Sequence, residues 1–568
     1  MARTVGIGYQ NYEQTITNNY FYVDKTNFIR EWWENGDAVT LITRPRRFGK
    51  TLNLSMVEQF FSVEYAGRGD LFEGLSVWKE EKYRNLQGTY PVIALSFANI
   101  KERDYNTARR KICQMIAQEY ARNAFLLEGD HLFEPEKDTF RRKTVDMDDV
   151  EATLAIHQLS LYLSRYYGKK VIILLDEYDT PMQEAYVNGY WEDLVFFTRS
   201  LFNATFKTNP YLERAIMTGI TRVSKESVFS DLNNLEVVTT TSEKYQDSFG
   251  FTQQEVSSAL AEYGLSGHEK EVKEWYDGFI FGRKRDIYNP WSIINYLDKR
   301  ELTTYWANTS SNGLVGKLIR EGSEDVKVIM EDLLGGRNLH TQIDEQIIFN
   351  QLDYDNSAIW SLLLASGYLK VEQYNLASGR GEYELALTNR EVRLMFENMI
   401  RGWFAKATPA YNRFVEALLC GDIKEMNAYM NRVAQATFSY FDTGNKPSEY
   451  TEPERFYHGF VLGLIVELSD RYIITSNRES GFGRYDVVLE PRRSGDGGMI
   501  NNAIILEFKI RDPEERTLEE TAREALSQIE RQNYGAGLEA KGFPPERIRK
   551  YGFAFEGKRV LIKTTALP

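Results

Sequence analysis

The chain has 568 residues, of which 42% are hydrophobic and 27% charged. This is the composition of an ordinary globular protein too long for one core, so two to four domains are expected. The sequence has no run of about 18 apolar residues, and its N-terminus has no apolar signal core. We therefore expect a cytoplasmic protein that has no membrane spans. The net charge of −13 argues against non-specific coating of nucleic acid by the whole surface but leaves a local basic groove open. Two distant cysteines do not suggest a disulfide framework or a thiolate metal site, and five scattered histidines show no zinc-ligand spacing. Any metal is therefore expected on carboxylates, as Mg²⁺ or Mn²⁺.

The first strand of the predicted α/β pattern leads into a loop with the residues of a phosphate-binding site. An apolar run at 39–42 precedes this loop, and a predicted helix over 52–61 follows it. The loop residues are Arg46, Arg47, Phe48, Gly49, Lys50 and Thr51. Backbone N–H groups at such a helix N-terminus bind phosphate, while Lys50 is expected to neutralise the β and γ oxygens and Thr51 to hold Mg²⁺. Because Arg44 stands where the usual pattern begins with glycine, a plain turn with a solvated lysine stays open for the loop alone.

A second motif at a strand end supplies the partner of this loop. Residues 171–177 form an apolar run, typical of a buried parallel strand, that ends in Asp176 and Glu177. Asp176 is expected to reach the Mg²⁺ shell and Glu177 to polarise a water towards the γ-phosphate. The alternative is an acidic loop cap, but two motifs at strand ends, in the expected order, favour a nucleotide site. A third strand ends in Arg222, which we expect to sense the γ-phosphate or, alternatively, to form a surface ion pair.

The middle of the chain changes from alternating strands and helices to a largely helical pattern. Up to residue 222 the alternation predicts a mainly parallel sheet with ligand at the carboxyl ends of its strands. From 252 to about 320 the pattern is helical. A helix at 359–369, a hairpin at 370–387 and a helix at 390–403 are winged-helix-like, which indicates either a DNA-contacting module or a packing element.

The C-terminal part contains a second group of chemically specific residues. On the predicted strand 503–510, Glu507 and Lys509 lie on the face opposite the apolar side chains. A preceding antiparallel strand is expected to bring Asp486 beside them. Two carboxylates at such a short distance repel each other unless a cation binds between them.

Two predicted helices complete this group. The helix 456–468 ends with Glu467, which is expected to join the metal shell, and the helix 515–533 leaves Gln528 at the edge of its apolar stripe, where it would orient the site. This is the arrangement of a metal-dependent phosphodiesterase, in which carboxylates hold Mg²⁺ and the lysine activates or positions the attacking water. An exposed sheet face with an ordinary ion pair is the alternative.

Together these motifs resemble those of bacterial proteins that have an AAA-ATPase-like N-terminal domain and a C-terminal PD-(D/E)XK nuclease domain. The resemblance covers nearly the whole chain, and in this family the loop reads Arg-Pro-Arg-Arg-Phe-Gly-Lys, so Arg44 is a family trait. The stretches that carry it are 22–26, 44–51, 175–179, 218–222, 233–235, 288–292 and the C-terminal Asp/Glu-x-Lys/Gln set.

The resemblance implies an α/β multidomain protein. Its parts are a P-loop AAA-like ATPase domain with a parallel sheet at 1–250 and a helical lid-like region at 251–335. A winged-helix-like and helical connector at 336–440 and a restriction-endonuclease-like α/β domain at 441–568 follow.

The function that the sequence predicts is an ATP-binding and ATP-hydrolysing regulator fused to a Mg²⁺-dependent nuclease that acts on nucleic acid, with DNA favoured over RNA. Residues 46–51 and Asp176 would bind ATP and its Mg²⁺, and Glu467, Asp486 and Glu507 would bind a second Mg²⁺. The alternative is a nucleotide-switched scaffold whose degenerate nuclease-like domain binds a partner or nucleic acid without cleavage. No membrane partner is expected, and a homo-oligomer is required only if Arg222 acts across a neighbouring subunit.

Overall fold

The computed structural model describes most of the chain in two compact units. Unit 1 comprises Met1–Ser311 and His340–Val392, and unit 2 comprises Asn312–Leu339 and Arg393–Pro568. The four-part domain division made from the sequence stays a prediction. The described residues are 2–222, 229, 232–307, 313–322, 324–343, 352, 355–377, 380–405, 411–441, 452–469, 471–480, 483–492, 502–511, 517–556 and 559–565.

The α-helices are numbered in chain order. They are α1 (Tyr12–Thr17), α2 (Asn27–Asn35), α3 (Lys50–Phe61), α4 (Glu81–Arg84), α5 (Tyr105–Arg122), α6 (Glu134–Arg141), α7 (Asp149–Tyr167), α8 (Thr180–Asn188), α9 (Trp191–Phe202), α10 (Gln253–Glu262), α11 (Glu269–Tyr276), α12 (Pro290–Lys299), α13 (Gly313–Glu321), α14 (Glu324–Leu334), α15 (Asn356–Ala365), α16 (Arg390–Ala405), α17 (Tyr411–Cys420), α18 (Ile423–Phe441), α19 (Glu452–Leu468), α20 (Leu518–Arg531) and α21 (Ala536–Ala540).

The strands are numbered in the same way. They are β1 (Val39–Thr43), β2 (Val92–Ser96), β3 (Val171–Asp176), β4 (Leu212–Gly219), β5 (Leu235–Val238), β6 (Phe251–Thr252), β7 (Phe279–Phe281), β8 (Lys284–Tyr288), β9 (Leu339–Thr341), β10 (Leu369–Ala377), β11 (Arg380–Leu387), β12 (Tyr472–Ser480), β13 (Gly483–Pro491), β14 (Ala503–Ile510), β15 (Ile548–Glu556) and β16 (Arg559–Thr564).

The main sheet of unit 1 is a five-stranded parallel sheet in the order β2-β3-β4-β1-β5. The strands predicted from the apolar runs are confirmed, and β1 and β3 are buried along their whole length, as both faces of a parallel sheet are covered. Because β4 lies between β1 and β3, the carboxyl ends of these three strands meet at one edge. This edge is where ligands bind in open α/β sheets.

The rest of unit 1 contains two small sheets with their helices. The antiparallel sheet β6-β8-β7 accompanies α10–α12, with a shared core that includes Tyr276, Tyr288 and Ile293. The predicted helix–hairpin–helix pattern is confirmed as α15, β10, β11 and α16, with β10 and β11 antiparallel; α16 begins in unit 1 and continues into unit 2.

Unit 2 contains a five-stranded mixed sheet in the order β12-β13-β14-β15-β16. Strands β14 and β15 are parallel and the other neighbours are antiparallel, which confirms the predicted antiparallel pairing ahead of β14. Helix α20 buries Ala522, Ala525 and Ile529, the apolar stripe that its sequence predicts. The fold class is therefore α/β multidomain, with a parallel N-terminal sheet and a mixed C-terminal sheet.

The outer edge of β16 is covered by two asparagines one turn apart on α18. Asn427 exchanges two hydrogen bonds with the backbone of Ile562, at 2.9 and 2.8 Å. Asn431 does the same with Val560, at 2.7 and 3.0 Å. Each side-chain amide thus pairs with the backbone as a neighbouring strand would, and the strand edge is not left open to another chain.

Within the described part of the chain, no helix is both long enough and apolar enough to cross a membrane.

Candidate functional site

The loop between β1 and α3 has the backbone shape of an anion-binding site. Arg47 and Gly49 have φ angles of 64° and 81°, both left-handed, and Gly49 is the N-cap of α3. Left-handed residues that alternate with right-handed ones turn successive N–H groups to one side and form a concavity for anions. The N-terminus of α3 adds its own N–H groups and the positive end of its dipole.

A cavity of about 510 Å³ opens on this loop. Its walls come from the loop, from the N-terminal segment of the chain and from the start of α12. Pockets of 300–1,000 Å³ are typical of small-molecule sites, so there is room for a nucleotide. The loop residues Arg46, Arg47, Phe48, Gly49, Lys50 and Thr51 all line it, together with Glu177, Tyr22, Phe251 and Trp291.

Lys50 lies at the bottom of the loop and is almost fully buried. Its ammonium group donates to the backbone carbonyls of Arg44 and Pro45, at 2.9 and 2.8 Å. Burial lowers the pKa of Lys50, while the nearby carboxylates Glu177 and Asp176 act in the opposite direction. A polyphosphate in the cavity would compete with these neutral carbonyls for the lysine, since an anion is the stronger acceptor.

Asp176 at the end of β3 is joined to the phosphate-binding loop. Thr51 Oγ1 donates to Asp176 Oδ2 at 2.7 Å, and Thr218 donates to the other carboxylate oxygen. Burial raises the pKa of Asp176 although both hydrogen bonds oppose the shift. The structure thus brings together the hydroxyl and the carboxylate that were predicted to hold Mg²⁺.

The chemistry of this donor set fits Mg²⁺. The described residues contain no group of three or more His, Cys, Asp or Glu side chains arranged for a metal ion. Mg²⁺ does not need one, because it binds through one or two protein oxygens and completes its shell with substrate phosphates and water. Thr51 and Asp176 supply hard oxygen ligands of this kind.

Glu177 lines the cavity beside Asp176. It has a left-handed φ of 50°, and Thr180 Oγ1 donates to its carboxylate at 3.1 Å. A non-glycine residue keeps such a conformation when its surroundings hold it. The position is therefore compatible with the predicted role of orienting a water.

Asp179, for which the sequence analysis gave no role, joins the ends of β3 and β4. Its buried carboxylate accepts from the backbone N–H groups of Ile220 and Thr221, at 3.0 and 2.9 Å, and from the Thr221 hydroxyl. Gly219 permits this contact, because a Cβ there would lie 2.8 Å from the Asp179 carboxylate. Its sequence signals were its place three residues after Asp176 and within the stretch 175–179 that carries the family resemblance.

The arginines of the site differ in their surroundings. Arg47 extends over the indole of Trp291, with its Cζ 4.5 Å from the ring, and Arg46 donates to Gln183 at 3.3 Å. Arg222 is not among the residues that line the cavity, and its buried Nε has no hydrogen-bond partner in the described part of the chain. Its role as a sensor stays a prediction.

Arg44 and Phe48 have structural surroundings. Arg44 is fully buried, donates to the carbonyls of Thr43 and Thr239 at 2.9 and 2.5 Å, and lies 4.5 Å from the ring of Phe281. Arg44 therefore ties β1 to the segment after β5, where the usual pattern has glycine. The Phe48 ring packs against Phe279 and Phe281, so it anchors the loop in an aromatic core.

In unit 2, the structure brings Glu507 and Gln528 into contact. Gln528 Nε2 donates to Glu507 Oε1 and lies 3.2 Å from the hydroxyl of Tyr534. Glu507 is buried in the middle of β14, whereas Lys509, two residues further on, is partly exposed. Tyr534 was not predicted, since it follows the end of α20 and has no periodic relation to Gln528.

The backbone places the other two predicted carboxylates on the expected elements. In the register of β13 and β14, Val487 pairs with Leu506, so Asp486 and Glu507 are the next residues on the two strands. Residues directly opposite in a sheet share a face. Glu467 lies in the last turn of α19. The side chains of Asp486 and Glu467 lie outside the described residues, so the metal shell stays a prediction.

A glycine on the neighbouring strand allows α20 to approach the site. Gly552 pairs with Glu507 across β14 and β15, and a Cβ at this position would lie 2.5 Å from the backbone oxygen of Ala522 in α20. Only glycine permits this distance without a shift of backbone atoms. The close helix is what allows Gln528 to reach Glu507.

Comparisons with known proteins agree with both halves of this description. Residues 6–229 match the family described as predicted AAA-ATPase, and residues 452–565 match the PD-(D/E)XK nuclease superfamily. An uncharacterized protein in the vnfD 5′ region of Azotobacter chroococcum mcd 1 is 24% identical over 547 residues, which cover 93% of this chain and 92% of that protein. The chain thus has an N-terminal region that matches predicted AAA-ATPases and a C-terminal region that matches the PD-(D/E)XK nuclease superfamily.

Proposed function

We propose that the protein binds and hydrolyses ATP in the cavity of unit 1, and that nucleotide state regulates a Mg²⁺-dependent nuclease in unit 2 that cleaves DNA. The observation that supports this most is the hydrogen bond between Thr51 and Asp176, which joins the two motifs beside Lys50. Two motifs from distant parts of the chain meet at the ligand-binding edge of the sheet.

In the ATPase step, each residue of the cavity has a separate task. The N–H groups at the start of α3 bind the phosphates, and Lys50 exchanges its two carbonyl partners for phosphate oxygens. Thr51 and Asp176 would hold Mg²⁺, which when bound neutralises charge on the phosphates. Glu177 accepts a hydrogen bond from the attacking water and orients it towards the γ-phosphate. Arg222 supplies positive charge from its own or a neighbouring subunit.

In the nuclease step, the residues of β13 and β14 act on a phosphodiester. Asp486, Glu507 and Glu467 would hold Mg²⁺, which when bound polarises the scissile phosphate. Lys509 binds or activates the attacking water. Gln528 orients Glu507 from α20, as a second layer around a ligand commonly does.

The test measures both activities in the full chain. ATP turnover is followed in wild type and Lys50→Ala, with the exposed Lys82→Ala as the matched control. Cleavage of plasmid DNA, single-stranded DNA and single-stranded RNA, with Mg²⁺ or EDTA, is followed in wild type and Lys509→Ala, with the exposed Lys541→Ala as control.

We expect Lys50→Ala to lower ATP turnover by about 100-fold or more and to remove the effect of ATP on cleavage, because it removes a charge that stabilises the transition state. Lys509→Ala should abolish Mg²⁺-dependent DNA cleavage and leave ATP turnover unchanged. ATP retention without any divalent-dependent cleavage in wild type would instead identify a nucleotide-switched scaffold. Activities that neither substitution alters would contradict the proposal.

A further inference from the structure

Glu391, in the first turn of α16, is buried in unit 1 among donors from two elements. One carboxylate oxygen accepts from Ser292 Oγ at 2.8 Å. The other accepts from the backbone N–H groups of Tyr305, Trp306 and Ala307, at 2.5, 2.6 and 3.4 Å. Ser292 lies in the first turn of α12, and the three N–H groups belong to the segment after it. Glu391 therefore holds these two elements together.

Both elements reach the same backbone atom of the phosphate-binding loop. Trp306 Nε1 donates to the carbonyl of Arg46 at 3.0 Å, and Asn289 Nδ2 donates to the same carbonyl at 3.4 Å. Asn289 is also the N-cap of α12 and accepts from the N–H of Ser292 at 3.2 Å. Arg46 lines the cavity, whereas Trp306 and Asn289 do not. The carbonyl is therefore held from outside the cavity by two donors, each tied to Glu391.

The direction of this carbonyl decides where the next N–H group points. In a planar trans peptide the C=O and the following N–H point in opposite directions. The N–H of Arg47 thus points away from Trp306 and Asn289. Arg47 has the left-handed φ of 64°, which a non-glycine residue keeps only when neighbouring contacts hold it. The two hydrogen bonds to the Arg46 carbonyl are such contacts.

We propose that Glu391 is a positioning residue of the nucleotide site. Through Trp306 and Asn289 it holds the Arg46 carbonyl outward and so turns the Arg47 N–H towards the phosphates of the bound nucleotide. The inference rests on the proposed ATP site. It states that Glu391 affects the binding of the polyphosphate part of the nucleotide and not of the nucleoside.

The residue type fits this task. The two oxygens of a carboxylate accept up to about four hydrogen bonds, which matches the four donors around Glu391. A carboxylate that merely satisfied buried N–H groups would stabilise unit 1 without any effect on phosphate binding. The two roles can be separated by experiment.

The experiment uses Trp306→Phe in the full chain, because this change removes the indole N–H and keeps an aromatic ring against Phe279 and Tyr368. Calorimetric titration gives the Kd for ATP, for inorganic triphosphate and for adenosine. We expect the Kd for ATP and for triphosphate to rise about five- to tenfold, because the hydrogen bond from Trp306 to the Arg46 carbonyl is lost. The Kd for adenosine should stay unchanged.

A double-mutant cycle then tests the link to Glu391. Glu391→Ala should weaken ATP binding more than Trp306→Phe, and the double variant should bind no more weakly than Glu391→Ala, because both changes break the same chain of contacts. Glu391→Gln keeps the acceptor for the three N–H groups and should restore binding to within about twofold of wild type. The exposed Glu274→Ala, which breaks only an ion pair with Arg390, is the matched control.

Two results would overturn the inference: a Trp306→Phe variant that binds triphosphate as wild type does, or one that loses adenosine binding to the same extent. If Lys50→Ala abolishes ATP binding while Trp306→Phe has no effect, this inference fails and the ATP site stands. If wild type binds neither ATP nor triphosphate, the proposed ATP site is itself wrong, and the inference about Glu391 is wrong with it.

Discussion

The two candidate sites are built in different ways. In unit 1 the polar groups lie at the carboxyl ends of neighbouring parallel strands and at the start of α3, and they bind one another: Asp176 accepts from Thr51 in α3, and Asp179 accepts from the backbone after β4. In unit 2 the buried Glu507 depends on a side chain from a helix, Gln528, that packs on the sheet. The geometry of the first site follows from sheet topology, and that of the second from the distance between a helix and a strand.

The largest loss of stability is expected from a substitution of Asp179, which joins the ends of β3 and β4. Asp179→Ala removes the acceptor of two buried N–H groups, each of which costs about 1–3 kcal/mol when unsatisfied, so unit 1 should lose about 4 kcal/mol of stability. Urea unfolding, with the exposed Asp146→Ala as control, measures the loss. An unchanged unfolding midpoint would show that the strand ends hold together without this carboxylate.

A pH dependence follows from the buried Glu391. Burial raises the pKa of Glu391 from its ordinary value of 4.5 to about 7. Between pH 4.5 and 7 the glutamate has released its proton in the unfolded chain but keeps it in the folded chain. The contribution of this proton to the free energy of unfolding is therefore complete below pH 4.5 and falls by about 3 kcal/mol as the pH rises to 7. The difference in unfolding free energy between wild type and Glu391→Gln should change with pH over this interval. A difference that is constant with pH would contradict the shift.

The helix–strand distance in unit 2 is tested by Gly552→Ala. The added Cβ would meet the Ala522 carbonyl, so α20 should move outward, with a loss of about 1–3 kcal/mol and of the contact between Gln528 and Glu507. DNA cleavage should fall while ATP turnover stays unchanged. The control is Gly535→Ala in the same unit, where the nearest atom is 3.5 Å away.

The smallest effect is expected from Gln528→Ala. The proposed metal ligand Glu507 would lose the side chain that orients it but keep its place on β14. The rate of DNA cleavage should therefore fall about tenfold with little change in stability, which is typical when a residue that hydrogen-bonds a metal ligand is removed. Gln532→Ala, one turn further along the chain, is the control. A larger loss of DNA cleavage in Gln528→Ala than in Gly552→Ala would mean that Gln528 contacts the substrate itself.

Much of both sites could be predicted because strands and helices have fixed periods. The run before Asp176 predicted a buried strand, and the spacing of Glu507 and Lys509 predicted a shared face; β3 and β14 confirm the strands. Strand β5 was not predicted, since a run of four residues is too short for its periodicity to distinguish it from a loop. The need for glycine at 552 was also invisible, because it depends on the backbone of α20.

By itself the sequence determined the order of the motifs, the parallel N-terminal sheet and the chemistry of the residues at the strand ends. These features depend on neighbours within a few residues, where alternation and helical periodicity are read directly. Only the tertiary structure decided that Asp179 holds the end of β4, that Gln528 reaches Glu507 and that Glu391 serves the phosphate-binding loop. Glu391 and Trp306 are 85 residues apart in the chain. Contacts over such separations are set by how strands and helices pack, which no local pattern encodes.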